Sequence, residues 1–175
     1  AVVSVMILLG SPGPVFFRQK RAGMNGRVFG LFKLRTMYVD AETRKAELMA
    51  SNKMRGCMFK MENDPRITRV GAFLRKTSLD EFPQFLNVLR GEISLVGTRP
   101  PTLDEVACYE DWHHRRISAK PGITGLWQIS GRNEITDFDE IVKLDCQYMD
   151  HWRFRDDIRI LWQTVVVVFK GKGAI

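Results

Sequence analysis

The chain begins with an apolar run, AVVSVMILLG, that stops at Ser11-Pro12-Gly13-Pro14. A helix needs about 20 such residues to span hydrocarbon, so this run does not cross a bilayer alone. Composition alone allows a buried core strand or helix here. From Pro14 the pattern becomes alternating: VFFRQKR and RVFGLFKLR flank AGMNG, and two β-rich runs around Asn-Gly predict an antiparallel hairpin. Asp40 to about Lys53 reads as an exposed helix with Asp40 as its cap, Gly56 to Asp64 as a strand or loop, and Val70 to Lys76 as a short helix.

An apolar helix then opens near Asp80. Either Asp80 is its N-cap, with Pro83 in the first turn, or Ser78-Leu79-Asp80-Glu81 forms a capping box; Gly91 supplies the stop. The same spacing recurs at Thr102-Leu103-Asp104-Glu105, opening a mixed-charge helix to about Ser118. Lys120 to Arg132 should be a shaped loop in which Trp127 fills core. Thr136 is placed to cap a helix running to about Trp152, and Asp156 or Asp157 another ending near Lys170. That last helix has an apolar body with cations at its end, which fits core packing or an amphipathic helix at a membrane interface. No repeat, low-complexity tract or linker interrupts the chain. The pattern is one α+β domain, mostly helical around a small antiparallel sheet.

With 175 residues and 45% hydrophobic content the chain can bury one ordinary core. Its formal charge of +7 calls for a polyanionic partner: nucleic acid, an anionic membrane surface or a phosphorylated substrate. Charge does not choose among them, but no helix-turn-helix, zinc-finger or aromatic RNA-binding signature supports nucleic acid. Cys57, Cys108 and Cys146 lie far apart with no C-x-x-C, so neither a disulfide nor a zinc site is expected, and a reduced, cytoplasmic setting is the default. His113 and His114 are adjacent and His151 stands alone, a poor metal set.

The chemistry concentrates at Asp80 and Glu81, bracketed in sequence by Arg66, Arg69, Arg75, Lys76, Arg90 and Arg99. The bland reading is that the acids only cap, since S-x-x-E is common. A helix N-terminus stabilises an anion by roughly 0.3 to 1 kcal/mol, about 2 at best. That keeps a carboxylate ionised but does not neutralise a diphosphate. Several guanidinium groups and a divalent metal do, because arginine matches phosphate oxygens bidentately and Mg2+ takes one or two carboxylates plus phosphates. The pattern therefore points to phosphoryl chemistry with Mg2+.

LRKTSLDEFPQFLNVLRGEISLVGTRP, with KLRTM at Lys33 to Met37, NDPRITRVG at Asn63 to Gly71 and KPGITGLWQISGR at Lys120 to Arg132, resembles the bacterial polyprenyl-phosphate phosphoglycosyl transferases, the monotopic initiating sugar transferases. The resemblance runs from about Ser11 to the C-terminus. It implies transfer of a sugar 1-phosphate from a UDP-sugar to polyprenyl phosphate, with release of UMP. It implies Asp80 as nucleophile, Glu81 as the Mg2+ ligand, Arg75 and Arg99 on the substrate phosphates, and Lys33 and Arg35 as supporting or substrate-binding groups. Thr98 stands where the family usually has proline. Residues 1–12 would be the remnant of a re-entrant membrane helix and 13–175 the catalytic domain on the cytoplasmic leaflet, with Arg18, Lys20, Arg21, Arg27, Lys33 and Arg35 near anionic lipid. The family motif places no catalysis at Asp104 and Glu105, which leaves them to capping. Rival readings are a basic nucleic-acid module and a noncatalytic membrane scaffold; oligomeric state and the sugar are left open.

Overall fold

In the computed structural model, which describes residues 2–131 and 135–169, the hairpin forms as the alternation predicts. Strands Phe16–Ala22 (β1) and Val28–Leu34 (β2) pair antiparallel, from Phe16 opposite Leu34 to Ala22 opposite Val28. The reversal uses left-handed backbone at Asn25 (φ 56°) and Gly26 (φ 76°), the residue types that adopt it at least cost. Ahead of the hairpin, the apolar run is a helix, Val2–Gly10 (α1), but not a buried core helix. Only Ile7 is buried, and Val2, Val5, Leu8 and Leu9 are exposed. Among the described residues no helix is long and apolar enough to cross a membrane.

The segment ahead of Asp80 departs from expectation in its details. After Ala41–Leu48 (α2), helix Arg69–Lys76 (α3) is capped by Thr68, whose hydroxyl accepts from the Gly71 amide at 2.9 Å. The capping box expected at Ser78 does not form. Ser78 is the left-handed residue (φ 55°) that turns the chain out of α3, whereas an N-cap needs extended backbone. Asp80 does not cap the following helix either; it lies inside a tight 3-10 turn, Leu79–Glu81, ahead of Pro83 and Gln84–Leu89 (α4). Gly91, at φ 72°, ends α4 as expected. The fully buried Asn87 of α4 ties it to β2, accepting from the Phe32 amide at 3.0 Å and donating to the Gly30 carbonyl at 2.9 Å.

A second strand pair, Ser94–Val96 (β3) with Gly122–Thr124 (β4), is parallel and was not foreseen from the sequence. Three-residue strands carry too little pattern to be read, and the partner lies inside the segment expected to be loop. The crossover between them holds Leu103–Ala107 (α5) and 3-10 turns over Asp111–Ile117. The single helix expected to Ser118 is divided because Glu110 is extended and starts its own cap with His113. Leu126–Ile129 (α6) also falls in the expected loop, whose last residue, Arg132, lies outside the described residues.

Phe138–Asp150 (α7) is capped by Asp137 and not by Thr136, whose carbonyl accepts from the Arg55 amide instead. Phe154–Phe169 (α8) starts ahead of Asp156 and Asp157, which sit in its first turn; Lys170 lies outside the described residues. Trp127 is buried with Met54, Met58, Phe138, Ile141 and Val142 in the core. Beside them the buried pair Arg116 and Asp145 bonds at 2.7 Å, and Arg116 also donates to the Tyr109 hydroxyl at 2.9 Å. Cys57 and Cys108 form a disulfide, against expectation. Their 51-residue separation hides what the fold does, which is to bring the end of α5 against the loop after Arg55. Helices and small sheets form a single α+β unit, with the hairpin, the tight turn and the start of α5 meeting on one side.

Candidate active site

The hairpin brings Lys33 to the tight turn. Its ammonium lies 3.2 Å from the Glu81 carboxylate, with about a quarter of each side chain exposed (23% and 24%). Asp80, beside it, is buried. Burial lowers the Lys33 pKa, the carboxylates of Glu81 and Asp80 oppose that shift, and the charges of Arg21 and Arg99 reinforce it. Both carboxylates and both arginines therefore lie within electrostatic reach of one ammonium group.

Arg21, from β1, is buried and donates to the Pro100 carbonyl at 2.9 Å and to the Gln19 side-chain oxygen at 2.6 and 3.0 Å. Burial, then the neighbouring Arg99, pulls its pKa down to about 9, which leaves it cationic at neutral pH. Arg99 donates to Glu105 at 3.1 and 3.3 Å. Glu105 also completes the expected capping box with Thr102, accepting from its amide at 3.0 Å while the Thr102 hydroxyl accepts from the Glu105 amide at 3.1 Å. Desolvation would raise the Glu105 pKa, but Arg99 and Arg21 outweigh it and hold the carboxyl below its usual range. The hydroxyl of Thr98, where the family usually has proline, donates to the Arg116 carbonyl at 3.0 Å and fastens the chain just ahead of Arg99.

Of the residues expected to work together, Asp80, Glu81, Lys33 and Arg99 converge. Arg75 stands on α3, its Nε donating to the Thr36 hydroxyl at 3.0 Å, with Asp64 within its field. Arg35 does not join them. Its buried guanidinium clamps the turn after α1, donating to the Ser11 hydroxyl and to the carbonyls of Ser11, Pro12, Gly13 and Pro14. Two of the other cations that flank the dyad in sequence have partners elsewhere: Arg66 is paired with Asp64 at 2.6 Å, and Arg90 lies over the Phe32 ring at 4.9 Å. Arg21 and Glu105 join the site unforeseen. Arg21 is buried, on the face of β1 opposite the exposed Arg18 and Lys20, a difference that strand alternation could have signalled. Glu105 is hidden by the capping role it also fills.

Among the described residues no group of three or more His, Cys, Asp or Glu is placed to hold a metal ion. Mg2+ seldom needs such a cage, since it commonly takes one or two carboxylates and completes its shell with phosphate and water. Glu81 with Asp80 alongside fits that sparse donor set. An open cleft of about 400 Å3 between α1 and α3, lined by Met6, Leu9, Gly10, Tyr38, Arg69 and Val70, lies apart from these residues. Next to the dyad, α4 and its entry expose Phe82, Phe85, Leu86 and Leu89.

Carboxylates are thus held among buried and half-buried cations, with an apolar surface alongside. The bacterial sugar transferase family model matches residues 1–171, and the chain belongs to that family. It is 60% identical over 162 residues to galactosyl transferase CpsE of Streptococcus agalactiae serotype III (strain NEM316), covering 93% of this chain and 36% of the relative. It is 45% identical over 166 residues to the undecaprenyl-phosphate galactose phosphotransferase of Salmonella typhimurium, covering 93% and 35%. It is also 40% identical over 179 residues to the UDP-glucose:undecaprenyl-phosphate glucose-1-phosphate transferase of Escherichia coli, covering 98% and 36%. The chain thus spans about a third of the length of these curated relatives.

Proposed function

We propose that the chain is the catalytic part of an enzyme that transfers a sugar 1-phosphate from a UDP-sugar to polyprenyl phosphate at the cytoplasmic face of a bacterial membrane, as a first membrane step of exopolysaccharide or capsule assembly. The observation that carries this reading is the convergence of Asp80 and Glu81 with Lys33, Arg21 and Arg99. The names of the relatives from Salmonella typhimurium and Escherichia coli support the acceptor and, in the second case, the donor.

In the proposed mechanism an Asp80 carboxylate oxygen attacks the sugar-bearing phosphorus. The bond from that phosphorus to the bridging oxygen breaks and UMP leaves with the electron pair. An oxygen of polyprenyl phosphate then attacks the aspartyl phosphosugar and displaces Asp80, regenerating the carboxylate. Lys33, Arg21 and Arg99 offset the charge that gathers on the diphosphate, and Arg75 contributes from α3. Glu81 is the residue proposed to hold Mg2+, which when bound would supply charge neutralisation on the donor's diphosphate. The exposed apolar residues of α1, α4 and α8 suit contact with lipid.

Burial of Arg21, Arg35, Arg66 and Arg116 removes those cations from any duplex-facing surface, which weighs against nucleic-acid binding. The test is UMP release from a panel of UDP-sugars with undecaprenyl phosphate in nanodiscs. Turnover with at least one sugar is expected. No release with any sugar, together with steeply salt-dependent DNA binding, would overturn the proposal.

A further inference from the structure

We infer that Glu105 is a positioning residue for the proposed transfer, fixing where the Arg99 guanidinium stands. The inference rests on the reading above and adds a residue that the capping motif conceals. A capping box asks the glutamate only for a bond to the N-cap amide, and one oxygen, Oε2, already provides it at 3.0 Å. The carboxylate nevertheless takes Arg99 Nη1 on both oxygens, at 3.1 Å to Oε2 and 3.3 Å to Oε1. The neighbouring Asp104 shows what an uncommitted acid does in the same turn: its side chain is 81% exposed and meets Lys45 at the surface.

The two side chains of the Arg99 pair differ in exposure, 24% for Arg99 and 7% for Glu105. The glutamate is the fixed, inner member and the arginine the accessible one. Both bonds to Glu105 use Nη1, so the Nε and Nη2 edge is not consumed by them. That edge suits two phosphate oxygens. The backbone is fastened independently, by the Thr98 hydroxyl on the Arg116 carbonyl and by Pro100 and Pro101 immediately after. An arginine held at both ends surrenders little rotamer freedom when a diphosphate arrives, which is how preorganisation raises affinity. Arg21 lies within the field of the same carboxylate. Glu105 therefore also keeps two neighbouring guanidinium charges together near the reacting groups.

The test uses UMP release by the protein in nanodiscs, with kcat and KM determined separately for the UDP-sugar and for polyprenyl phosphate, and urea unfolding run alongside. Glu105→Ala is expected to raise KM for the UDP-sugar and lower kcat/KM by about ten- to hundredfold, the usual range for supports of a working group. KM for polyprenyl phosphate should stay within about twofold of wild type. Glu105→Gln keeps an oxygen for both Arg99 and Thr102 and should recover most of the loss. Thr102→Val removes the other half of the capping box and should leave the UDP-sugar KM within about threefold.

If Glu105→Ala behaves as Thr102→Val does, or moves both substrates' KM values equally as its folded fraction falls, Glu105 only caps and the inference is overturned while the transfer stands. A wild type that releases no UMP from any UDP-sugar overturns the transfer and the inference with it.

Discussion

At Thr102-Leu103-Asp104-Glu105 the backbone is extended at the cap, the hydroxyl and carboxylate exchange bonds with the two amides, and Asp104 is left at the surface with Lys45. At Ser78-Leu79-Asp80-Glu81 the serine is left-handed, its side chain makes no cap bond, and the acids fold into a 3-10 turn where Asp80 is buried and Glu81 meets Lys33. One spacing thus serves two purposes, chosen by the φ of its first residue. Where the motif closes on itself, one acid is consumed in holding the helix and Arg99. Where it cannot close, Asp80 is buried in the turn and Glu81 is held by Lys33 from the hairpin, which leaves neither acid spent on capping the helix.

The largest expected contrast is between the aspartates. Asp80→Asn should lower UMP release by about 10^3-fold or more, the scale seen when a nucleophile is removed. Asp104→Asn, which disturbs only a surface ion pair, should stay within about twofold. Comparable losses from both would erase the distinction between the two turns. Next in size, Glu81→Gln should reduce turnover by about 10- to 100-fold and flatten its dependence on Mg2+ concentration. A metal titration unchanged from wild type would remove Glu81 from that role.

Stability separates the first residues of the two motifs in sign. Thr102→Ala should cost about 1 kcal/mol through loss of a cap. Ser78→Gly should add about 0.5 kcal/mol, because glycine adopts a positive φ without strain. Urea midpoints measure both, and a destabilising Ser78→Gly would restore the capping role to Ser78.

The smallest effect is a pH dependence. The Glu105 carboxyl is held below its usual range when folded, so the folded chain loses that proton more readily than the unfolded one. Its contribution is complete above the ordinary glutamate value of 4.5 and fades as pH falls through the lower, folded value. The urea-midpoint difference between wild type and Glu105→Gln should therefore hold steady from pH 7 to about 5 and shrink below that.

Much of this was legible from spacing. The hairpin, α3, the Thr102 box, the Gly91 stop and the burial of Trp127 each depend on neighbours within a few residues, where propensity and turn chemistry act. What escaped was set by distant chain. Ser78 reads as a cap until α3 is seen to end in a left-handed residue. Arg35 and Arg21 look like surface cations until carbonyls of Ser11 to Pro14, or of Pro100, are brought to them. Cys57 finds Cys108, and β3 finds β4, only through the crossover. Within the site, Asp80, Glu81, Lys33 and Arg99 were visible because they sit in recognisable motifs, whereas Glu105 was masked by a motif that it also satisfies.

The most direct test of the central claim is intact mass spectrometry of the protein incubated with a UDP-sugar and Mg2+ before any lipid acceptor is present. The wild type should gain the mass of one sugar phosphate and release UMP in equal amount, Asp80→Asn should gain nothing, and polyprenyl phosphate should then discharge the adduct. An adduct of the same mass on Asp80→Asn, or UMP that forms only once the acceptor is added, would contradict Asp80 as the group that receives the phosphosugar.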